Sequence, residues 1–389
     1  MNEQVTNAML SLIRHVVCGV MLTEEEKAEI TPALLPQLYR LSKAHDMAHI
    51  VSRGLSDLGL LGEDEISAKF QKQQMLSVYR YQQLNYELER ICRVLEEAEL
   101  PFLPLKGSVI RKYYPEPWMR TSCDIDVLVH EEDLEKAVDA LVEALGYKNE
   151  GRAFHDVSLL SDGGVHLELH FDLIEEVRYP NVVKLLSRVW EYAEPVNGAR
   201  YWHRLKDEMF YFYHCAHMAK HFENGGCGIR SVLDQWILDN MVPHEVEKRN
   251  ALLREGTLER FSNATGHLAE VWFSSREKDN LTESMASYII TGGIYGNTEN
   301  GVAIKRTKRE GKMKFIISRL FLPYDFLKQK YPILLKHRWL TPIMEVRRWF
   351  KLLFKGRAKS SLHELSVNQT ISREKVSQTA ELLSELGLK

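Results

Sequence analysis

Two aspartates separated by one residue, Asp124 and Asp126, begin an apolar segment that is predicted to be a strand, Asp124–Val129. Residues i and i+2 of a strand point to the same side, so the two carboxylates lie about 6–7 Å apart along it. They repel each other unless a cation lies between them, and Mg²⁺ prefers carboxylate and phosphate oxygens. The pair suggests a metal site, although two solvated aspartates at a strand end would show the same pattern.

A second candidate is the small-residue turn formed by Lys106, Gly107 and Ser108, which precedes a predicted short helix, Val109–Tyr114. A turn of this kind leaves backbone N–H groups free for an anion, and the helix dipole favours negative charge there. Gly107 lets a phosphate approach the backbone, Ser108 adds a hydroxyl donor, and Lys106 adds a positive charge. Such turns are common, so the turn alone is a weak indication of phosphate binding.

A later carboxylate, Glu168, lies in the predicted strand Val165–Phe171, where the alternation places it on one face with His166 and His170. If this strand neighbours that of the two aspartates, Glu168 completes a cluster of three carboxylates. Such a cluster allows two metal ions, which would activate an attacking hydroxyl and stabilise a leaving pyrophosphate. Asp172 is a weaker candidate for this role. The alternative for Glu168 is a surface position on an edge strand.

The residue pattern divides the chain around these candidates into four regions. Residues 1–98 have helical periodicity, 99–180 mix short strands with helices, 181–300 are again helical, and 301–389 form a basic amphipathic C-terminal region. In the second region, strands are predicted at Pro101–Leu105, Asp124–Val129, Phe154–Leu160 and Val165–Phe171. The sequence therefore predicts an α+β fold in which a small mixed sheet with helices is flanked by N-terminal and C-terminal helical regions.

Two pairs of polar residues recur at the spacing of one helical turn. His45 and His49 could bind a metal, but no third ligand is apparent, and a polar helix–helix contact is the simpler interpretation. Arg230 and Asp234 lie at i and i+4 of a predicted helix, where an intrahelical ion pair would be worth a few tenths of a kcal/mol. They either line a cleft or serve structure alone.

A third group of histidines lies on one face of a predicted helix. His214, His217 and His221 share this face with Lys220. The first and last of the histidines are about 10.5 Å apart along the helix, which is too far for all three to reach one zinc ion. The face is better interpreted as a polar wall of a nucleotide cleft, with Lys220 directed toward phosphate.

The C-terminal region from 305 to 359 is rich in lysine and arginine, and tryptophan and phenylalanine lie between the charges. An amphipathic helix predicted at Ile343–Phe354 could lie on an anionic membrane surface, and the same segment could bind RNA or a partner protein. A basic face packed on the rest of the protein by its aromatic residues explains the pattern equally well.

The composition is typical of a soluble globular protein of two or three domains, with 44% hydrophobic and 27% charged residues. A net charge of -3 argues against a globally basic nucleic-acid binder. Five scattered cysteines indicate neither a disulfide framework nor a zinc ribbon. The N-terminus does not resemble a signal peptide, and no apolar run is long enough to span a membrane, so a cytoplasmic location is expected.

The order of these features resembles the DNA polymerase β-like nucleotidyltransferase superfamily: a strand, Gly-Ser opening a helix, Asp-x-Asp on the next strand and a later carboxylate. The segment Leu105–Val129 resembles more closely a bacterial family of uncharacterised nucleotidyltransferases, with its LKG…Y…R…DID pattern. The similarity extends to Glu168-Leu169-His170, to the helix with His214, His217 and Lys220, and to Gly293–Gly296. It covers roughly residues 30–300.

The resemblance implies transfer of a nucleoside monophosphate from an NTP such as ATP to an acceptor hydroxyl, with release of pyrophosphate and two Mg²⁺ or Mn²⁺ ions. Asp124 and Asp126 would bind both metals, and Glu168 would bind the catalytic metal and favour deprotonation of the acceptor. Gly107 and Ser108 would hold the triphosphate. The other implied nucleotide-binding residues are Lys106, Arg120, Ser122, His170, His217 and Lys220.

The resemblance leaves the acceptor open among a small sugar or alcohol, a protein hydroxyl and an RNA end. Members of the closest family are often associated with polysaccharide or surface-sugar biosynthesis. The gap between Gly107-Ser108 and Asp124 is longer than is usual in the superfamily, which leaves the geometry of the loop Tyr114–Cys123 open.

Two other function classes remain as alternatives. The first is a glycosyltransferase in which Asp-x-Asp holds Mn²⁺ and a nucleotide-sugar, but only about twenty residues of α/β pattern precede Asp124, less than such enzymes need. The second is a non-catalytic nucleotide-binding scaffold. The presence of Asp124, Asp126 and Glu168 together argues against it.

Overall fold

A five-stranded mixed sheet lies in the middle of the chain, with strands β1 (Phe102–Pro104), β2 (Asp124–Val129), β3 (Lys148–Arg152), β4 (Asp156–Leu160) and β5 (His166–His170). The strand order is β1-β2-β5-β4-β3, and β2 and β5 pair in parallel whereas the other pairs are antiparallel. The structure is a computed structural model, and it describes residues 2–388 except 174–178, 275, 295, 309–320, 323, 325, 326, 329, 330, 332 and 355–357.

The alternation of side chains along β2 and β5 separates two environments. Ile125, Val127 and Leu167 belong to an apolar cluster with residues of the helices α5 (Glu65–Glu97) and α7 (Leu134–Leu145). Neighbouring residues of a strand point to opposite faces, so the acidic residues of β2 and β5 point away from that cluster. The apolar face of the sheet thus packs on α5 and α7, and the polar face lies toward the helices that follow the sheet in the chain.

The N-terminal helices are α1 (Glu3–Cys18), α2 (Glu24–Glu29), α3 (Leu35–Ala44), α4 (Ala48–Asp57) and the 33-residue α5. A capping box between Thr23 and Glu26 begins α2, and Asp64 caps α5. Arg80 on α5 donates to the carbonyl of Cys123 at 2.7 Å, which fixes the residue that precedes the two aspartates. The long helix therefore supports the sheet at its functional end.

The chain between β1 and β2 contains the short helix α6 (Gly107–Ile110), and beyond the sheet a helical block follows. Its helices are α8 (Pro180–Leu186), α9 (Asp207–Glu223), α10 (Ile229–Asn240), α11 (Val246–Glu255), α12 (Glu259–Phe273) and α13 (Asn280–Gly292). A two-stranded ribbon, β6 (Ala193–Pro195) and β7 (His203–Leu205), connects α8 to α9. The carboxylate of Glu96 on α5 accepts hydrogen bonds from the backbone N–H groups of residues 200–202, so the ribbon is tied to α5.

Among the described residues, the C-terminal helices include α14 (Thr298–Lys308), α15 (Ile333–Lys336), α16 (Thr341–Phe354), α17 (Ala358–Thr370) and α18 (Arg373–Glu385). Leu382 and Leu383 of α18 belong to the largest apolar cluster, together with residues of the N-terminal helices and the helical block. A separate small cluster is formed by Leu327, Tyr331, Leu334 and Met344. The last helix thus belongs to the main core although it follows the basic region.

The α+β fold class expected from the sequence is confirmed, with a small mixed sheet and helices on both sides of it in the chain. Strand β3 was missed, because its five residues are all exposed and carry no apolar alternation. The helix predicted at Val109–Tyr114 is instead α6 followed by a 3₁₀ turn at Arg111–Tyr113. The boundaries of the four regions stay a prediction.

The predictions for the basic C-terminal region and for the Gly293–Gly296 feature fall partly on residues that the structure does not describe. Helix α16 includes the predicted amphipathic segment, but the side chains of residues 350–354 lie outside the described residues. Four residues of the basic run, Arg309, Lys312, Lys314 and Arg319, also lie outside them. The same holds for Tyr295 of the Gly293–Gly296 feature. Within the part of the chain that is described, no helix combines the length and the apolar character needed to cross a membrane.

Candidate functional site

The two strands that carry the acidic residues lie side by side, and their register brings the carboxylates together. In the parallel pair β2–β5, Asp126 lies opposite Glu168 and Asp124 lies opposite His166. Ligand atoms of Asp126, Glu168 and His170 all lie within 4.8 Å of one another. Two carboxylates and an imidazole at this spacing are a donor set for a divalent cation. The neighbouring strands on which the predicted cluster depended are therefore present.

Asp126 is buried, and one of its carboxylate oxygens accepts hydrogen bonds from two neighbouring side chains. Its Oδ1 accepts from Lys106 Nζ at 2.7 Å and from His170 Nε2 at 2.9 Å. Burial opposes ionisation, but Lys106 and His170 outweigh it and hold the pKa of Asp126 well below its usual range. His170 Nε2 is also 3.4 Å from Glu168 Oε2, and these bonds raise the pKa of His170 although burial acts to lower it. Asp126 is thus a carboxylate that stays ionised.

Asp124 lies at the edge of this cluster rather than in it. Its side chain is half-buried and lines the same cleft as Asp126 and Glu168. Burial raises the pKa of Asp124, and the negative charges of Asp126 and Glu168 raise it further. The repulsion among three carboxylates is therefore only partly relieved by Lys106 and His170, and a cation bound among them would relieve the rest.

The turn before α6 has a geometry that the sequence did not reveal. The N–H of Ser108 donates to the carbonyl of Leu105 at 3.2 Å, and Lys106 inside this turn has φ +47° and ψ -122°. This conformation favours glycine and is strained for a lysine. Gly107 follows, and an added Cβ there would lie 3.2 Å from Ser122 Cβ. Since α6 has only four residues, its dipole is small, and the backbone turn is the stronger feature.

A cleft of about 360 Å³ separates the sheet from the helical block. Its wall on the sheet side consists of polar residues from the loops and from β2 and β5: Lys106, Gly107, Arg120, Ser122, Cys123, Asp124, Asp126, His155 and Glu168. Its opposite wall consists of α9 and α10 side chains, with His214, His217, Lys220, His221, Arg230, Ser231 and Asp234. Of the predicted site residues, Ser108 and His170 do not line it; His170 is buried behind Asp126.

The histidine face of α9 is turned into this cleft. His214 Nε2 donates to the carbonyl of Ser231 at 3.0 Å, and His217 and His221 are joined through their Nε2 atoms at 3.0 Å. Burial, with nearby positive charge, lowers the pKa of His221 to about 4 and that of His217 well below its usual range. Burial and the charge of Lys106 lower the pKa of Lys220 to about 8. At neutral pH the wall therefore contains neutral imidazoles and one mostly charged amine.

Of the two alternatives for Arg230 and Asp234, both residues line the cleft, and each of them pairs with a residue from another part of the chain. Asp234 instead accepts from Arg120 Nε through both oxygens, at 2.7 and 2.8 Å, and from the Tyr114 hydroxyl at 2.7 Å. Arg230 Nη1 lies 3.2 Å from Asp46 Oδ2. Burial opposes ionisation of Asp234, yet Arg120 keeps its pKa below the usual range. Nothing in the sequence signals these bonds, because the partners are more than 100 positions apart.

The metal-binding alternative for His45 and His49 also fails on geometry. His45 follows α3 and His49 lies on α4, with Asp46 at φ +56° between the two helices, so the two histidines do not share a helix. His45 Nε2 donates to the carbonyl of Ile290, and His49 Nε2 donates to that of Met119. Each histidine joins its helix to a different part of the chain, which agrees with the structural interpretation.

A comparison with protein families matches residues 32–274 to a family described as uncharacterised nucleotidyltransferase. The matched segment includes β1 to β5, the turn at Lys106 and the helices α9 and α10 that form the second wall of the cleft. Neither the curated proteins nor the solved structures searched gave a match to this chain.

Proposed function

Since this chain belongs to the family of uncharacterised nucleotidyltransferases, we propose that it transfers a nucleoside monophosphate from an NTP to an acceptor hydroxyl and releases pyrophosphate. One observation carries the proposal: Asp126 and Glu168 lie in register on neighbouring parallel strands, at a cleft whose opposite wall carries Lys220. Clustered carboxylates facing cationic groups across a cleft suit a substrate that brings both phosphate charge and divalent cations.

The residues present fit divalent cations. Ligand atoms of Asp126 and Glu168 are close enough to share an ion, and burial together with the negative charges of Asp126 and Glu168 raises the pKa of Asp124. We assign Mg²⁺ or Mn²⁺ to Asp124, Asp126 and Glu168, as expected from the sequence, with His170 as a neighbour that orients Asp126. When bound, such ions supply Lewis-acid stabilisation of phosphate charge.

The positive side chains of the cleft would hold the triphosphate. Lys106 and Lys220 approach from opposite walls, and repulsion from the charge of Lys106 adds to burial in lowering the pKa of Lys220. An anion between them removes this repulsion, so triphosphate binding is favoured there. Gly107 and Ser122 border the same space, and the backbone of the turn can approach a phosphate closely. Arg120 acts through Asp234 to fix this loop.

The proton of the acceptor hydroxyl would pass to Glu168, whose side chain is 37% exposed and so reaches the cleft. The acceptor oxygen then forms a bond to the α-phosphorus, the bond between that phosphorus and the bridging oxygen to the β-phosphorus breaks, and pyrophosphate leaves with its electron pair. His217 lies on the opposite wall and, being neutral, can donate a hydrogen bond to the nucleotide without adding charge.

The proposal also specifies the acceptor and the cellular compartment. The acceptor is a hydroxyl on a sugar of a surface polysaccharide or its precursor, which is the association that the family resemblance brings. The protein acts in the cytoplasm, since its five cysteines are all free thiols, which are characteristic of reducing compartments.

The proposal is tested with α-labelled NTPs, Mg²⁺ or Mn²⁺ and a panel of acceptors that includes sugar phosphates, polyols, peptides and RNA. Wild type should release pyrophosphate and label one acceptor class. Asp126→Asn should lower this rate by about 100-fold or more, because several kcal/mol of charge stabilisation is lost. Asp139→Asn, a change of the same kind at an exposed position, should leave the rate unchanged.

Other outcomes decide between the alternatives. Equal rates for Asp126→Asn and Asp139→Asn would exclude catalysis by the carboxylate cluster. Transfer of sugar from a nucleotide-sugar, without pyrophosphate release from NTPs, would identify a glycosyltransferase. Nucleotide binding by calorimetry without transfer to any acceptor class would support the scaffold alternative.

A further inference from the structure

Residues 305–359 carry a charge of the opposite sign to the rest of the chain. This segment contains seventeen lysines and arginines and three acidic residues, whereas the whole chain has 51 basic and 54 acidic residues. The segment therefore has a net charge of +14 and the remainder a net charge of -17. A separation of this size indicates a region that meets an acidic surface.

The described part of this segment has its own small apolar core. Leu327, Tyr331, Leu334 and Met344 pack together, so α15 and α16 are held against each other through their inward side chains. Glu345, the one acidic residue described in the segment, is buried and is bound by Arg348 Nε at 2.6 Å. The charges that this unit exposes among its described residues are therefore positive.

Several large apolar side chains of α15, α16 and the turn between them are exposed to solvent. Leu335 and Trp339 are 68% and 72% exposed, and Ile343 and Val346 on α16 are also exposed. Lys336, Arg338 and Arg347 are exposed between them. We call these seven residues the C-terminal docking surface. Ile343, Val346 and Arg347 lie at i, i+3 and i+4, so α16 presents one exposed face that is both apolar and basic.

We propose that the C-terminal docking surface binds the surface of an anionic lipid bilayer. Apolar side chains of this size gain free energy by entering the boundary between head groups and acyl chains, and the neighbouring basic groups remain with the lipid phosphates. A single-stranded RNA would reward aromatic stacking but not the aliphatic Leu335, Ile343 and Val346. A second copy related by a two-fold axis at this surface would bring two positively charged surfaces together. The lipid surface therefore fits both the charge and the side-chain chemistry.

Vesicle flotation of the full chain tests this proposal independently of its catalytic chemistry. Wild type should float with vesicles of phosphatidylcholine and phosphatidylglycerol, and much less with phosphatidylcholine alone. Lys336→Glu/Arg338→Glu/Arg347→Glu should weaken binding to the anionic vesicles by roughly tenfold or more. The matched control, Lys136→Glu/Lys148→Glu/Lys184→Glu, makes the same change of charge at exposed lysines elsewhere and should bind as wild type does.

A second variant separates the apolar contribution from the charge and from any loss of fold. Leu335→Ser/Ile343→Ser changes exposed side chains only, so its melting temperature should match that of wild type while its vesicle binding falls. The proposal is overturned if the charge variant and its control bind anionic vesicles equally, if wild type does not distinguish anionic from neutral vesicles, or if the variants lose binding to RNA or to a protein while vesicle binding is unchanged.

Discussion

At the scale of single residues, Lys106 combines a strained backbone with a charge held inside the protein. Its φ of +47° suits glycine, but glycine has no amine to place 2.7 Å from Asp126. Strain of this kind costs of order 1–3 kcal/mol and persists where the surrounding structure imposes it, which happens often at functional sites. The chain thus keeps a lysine where its backbone conformation favours a residue without a side chain.

This strain predicts a difference between two variants that both remove the amine. Lys106→Gly removes the charge and relieves the backbone, whereas Lys106→Ala removes the charge and keeps the strain. We expect the glycine variant to have a free energy of unfolding about 1 kcal/mol higher than the alanine variant. Urea denaturation measures this difference. Nucleotidyl transfer should be impaired in both, and equal stabilities of the two variants would contradict stored strain at this position.

The half-buried histidine His221 predicts a loss of stability in mild acid. Burial and nearby positive charge lower its pKa to about 4 in the folded protein, against about 6.5 in an unfolded chain. Between these values the unfolded chain binds the extra proton, so stability falls as pH falls from about 6.5 to about 4.

For His221→Gln, we expect the decline in the free energy of unfolding between pH 7 and pH 5 to shrink by about 2 kcal/mol relative to wild type. Urea denaturation at the two pH values gives the number. His337→Gln removes an exposed histidine and should follow the wild-type decline, so a parallel change in both variants would refute the assignment.

At the scale of elements, two glycine-rich segments pack against each other beside the cleft. The segment between α9 and α10 contains Gly225 and Gly226, and the segment after α13 contains Gly296. A Cβ added to Gly296 would lie 2.3 Å from the carbonyl carbon of Gly225, so the two backbones touch without room for a side chain. The contact lies in the segment that leads into α10, which carries Arg230 and Asp234 to the cleft.

Two glycine substitutions with similar backbone angles should therefore differ in cost. Gly198 has φ +84° with nothing near its Cβ position, whereas Gly296 has φ +78° and meets Gly225. Gly198→Ala should lower the free energy of unfolding by about 1 kcal/mol through its backbone angle alone. Gly296→Ala should cost about 1–3 kcal/mol more because two backbones must separate. Thermal and urea unfolding test this, and equal costs would rule out the tight contact.

The sequence predicted elements wherever an apolar pattern accompanied them. β2 was placed from its apolar run and β5 from alternation, and the two-residue period of a strand also placed Asp124 with Asp126, and Glu168 with His170, on one side. Strand β3 has no apolar face, and nothing local marks the break between His45 and His49. Bonds such as Arg120 to Asp234 depend on packing of distant helices, so single-sequence patterns could not identify them. The acidic cluster could be predicted from the sequence because it requires only that β2 and β5 be neighbours in the sheet.

At the scale of the whole molecule, the two ends of the chain contribute to one core. α1 packs against α12, and α18 packs against α13 and α14. Leu12 near the N-terminus and Leu383 near the C-terminus belong to the same apolar cluster. The basic segment thus lies between parts of the chain that are anchored, and its position is limited at both ends.

Two leucines of the C-terminal region should respond differently to the same change. Leu383→Ala creates a cavity in the main core and should lower the free energy of unfolding by about 2–5 kcal/mol. Leu335→Ala changes an exposed side chain and should alter it by less than about 0.5 kcal/mol. Denaturant unfolding compares them, and a small cost for Leu383→Ala would mean that α18 is not part of the core.

The parallel pairing of β2 with β5 determines when the acidic cluster can form during synthesis. About 40 residues separate Asp126 from Glu168, and at about 5–20 residues per second the ribosome needs about 2–8 s to add them. Until β5 is available, β1 is the neighbour that β2 has in the five-stranded sheet. The nascent chain therefore acquires its acidic cluster only when β5 enters the middle of the sheet, so a truncated product that ends before His166 has no such cluster.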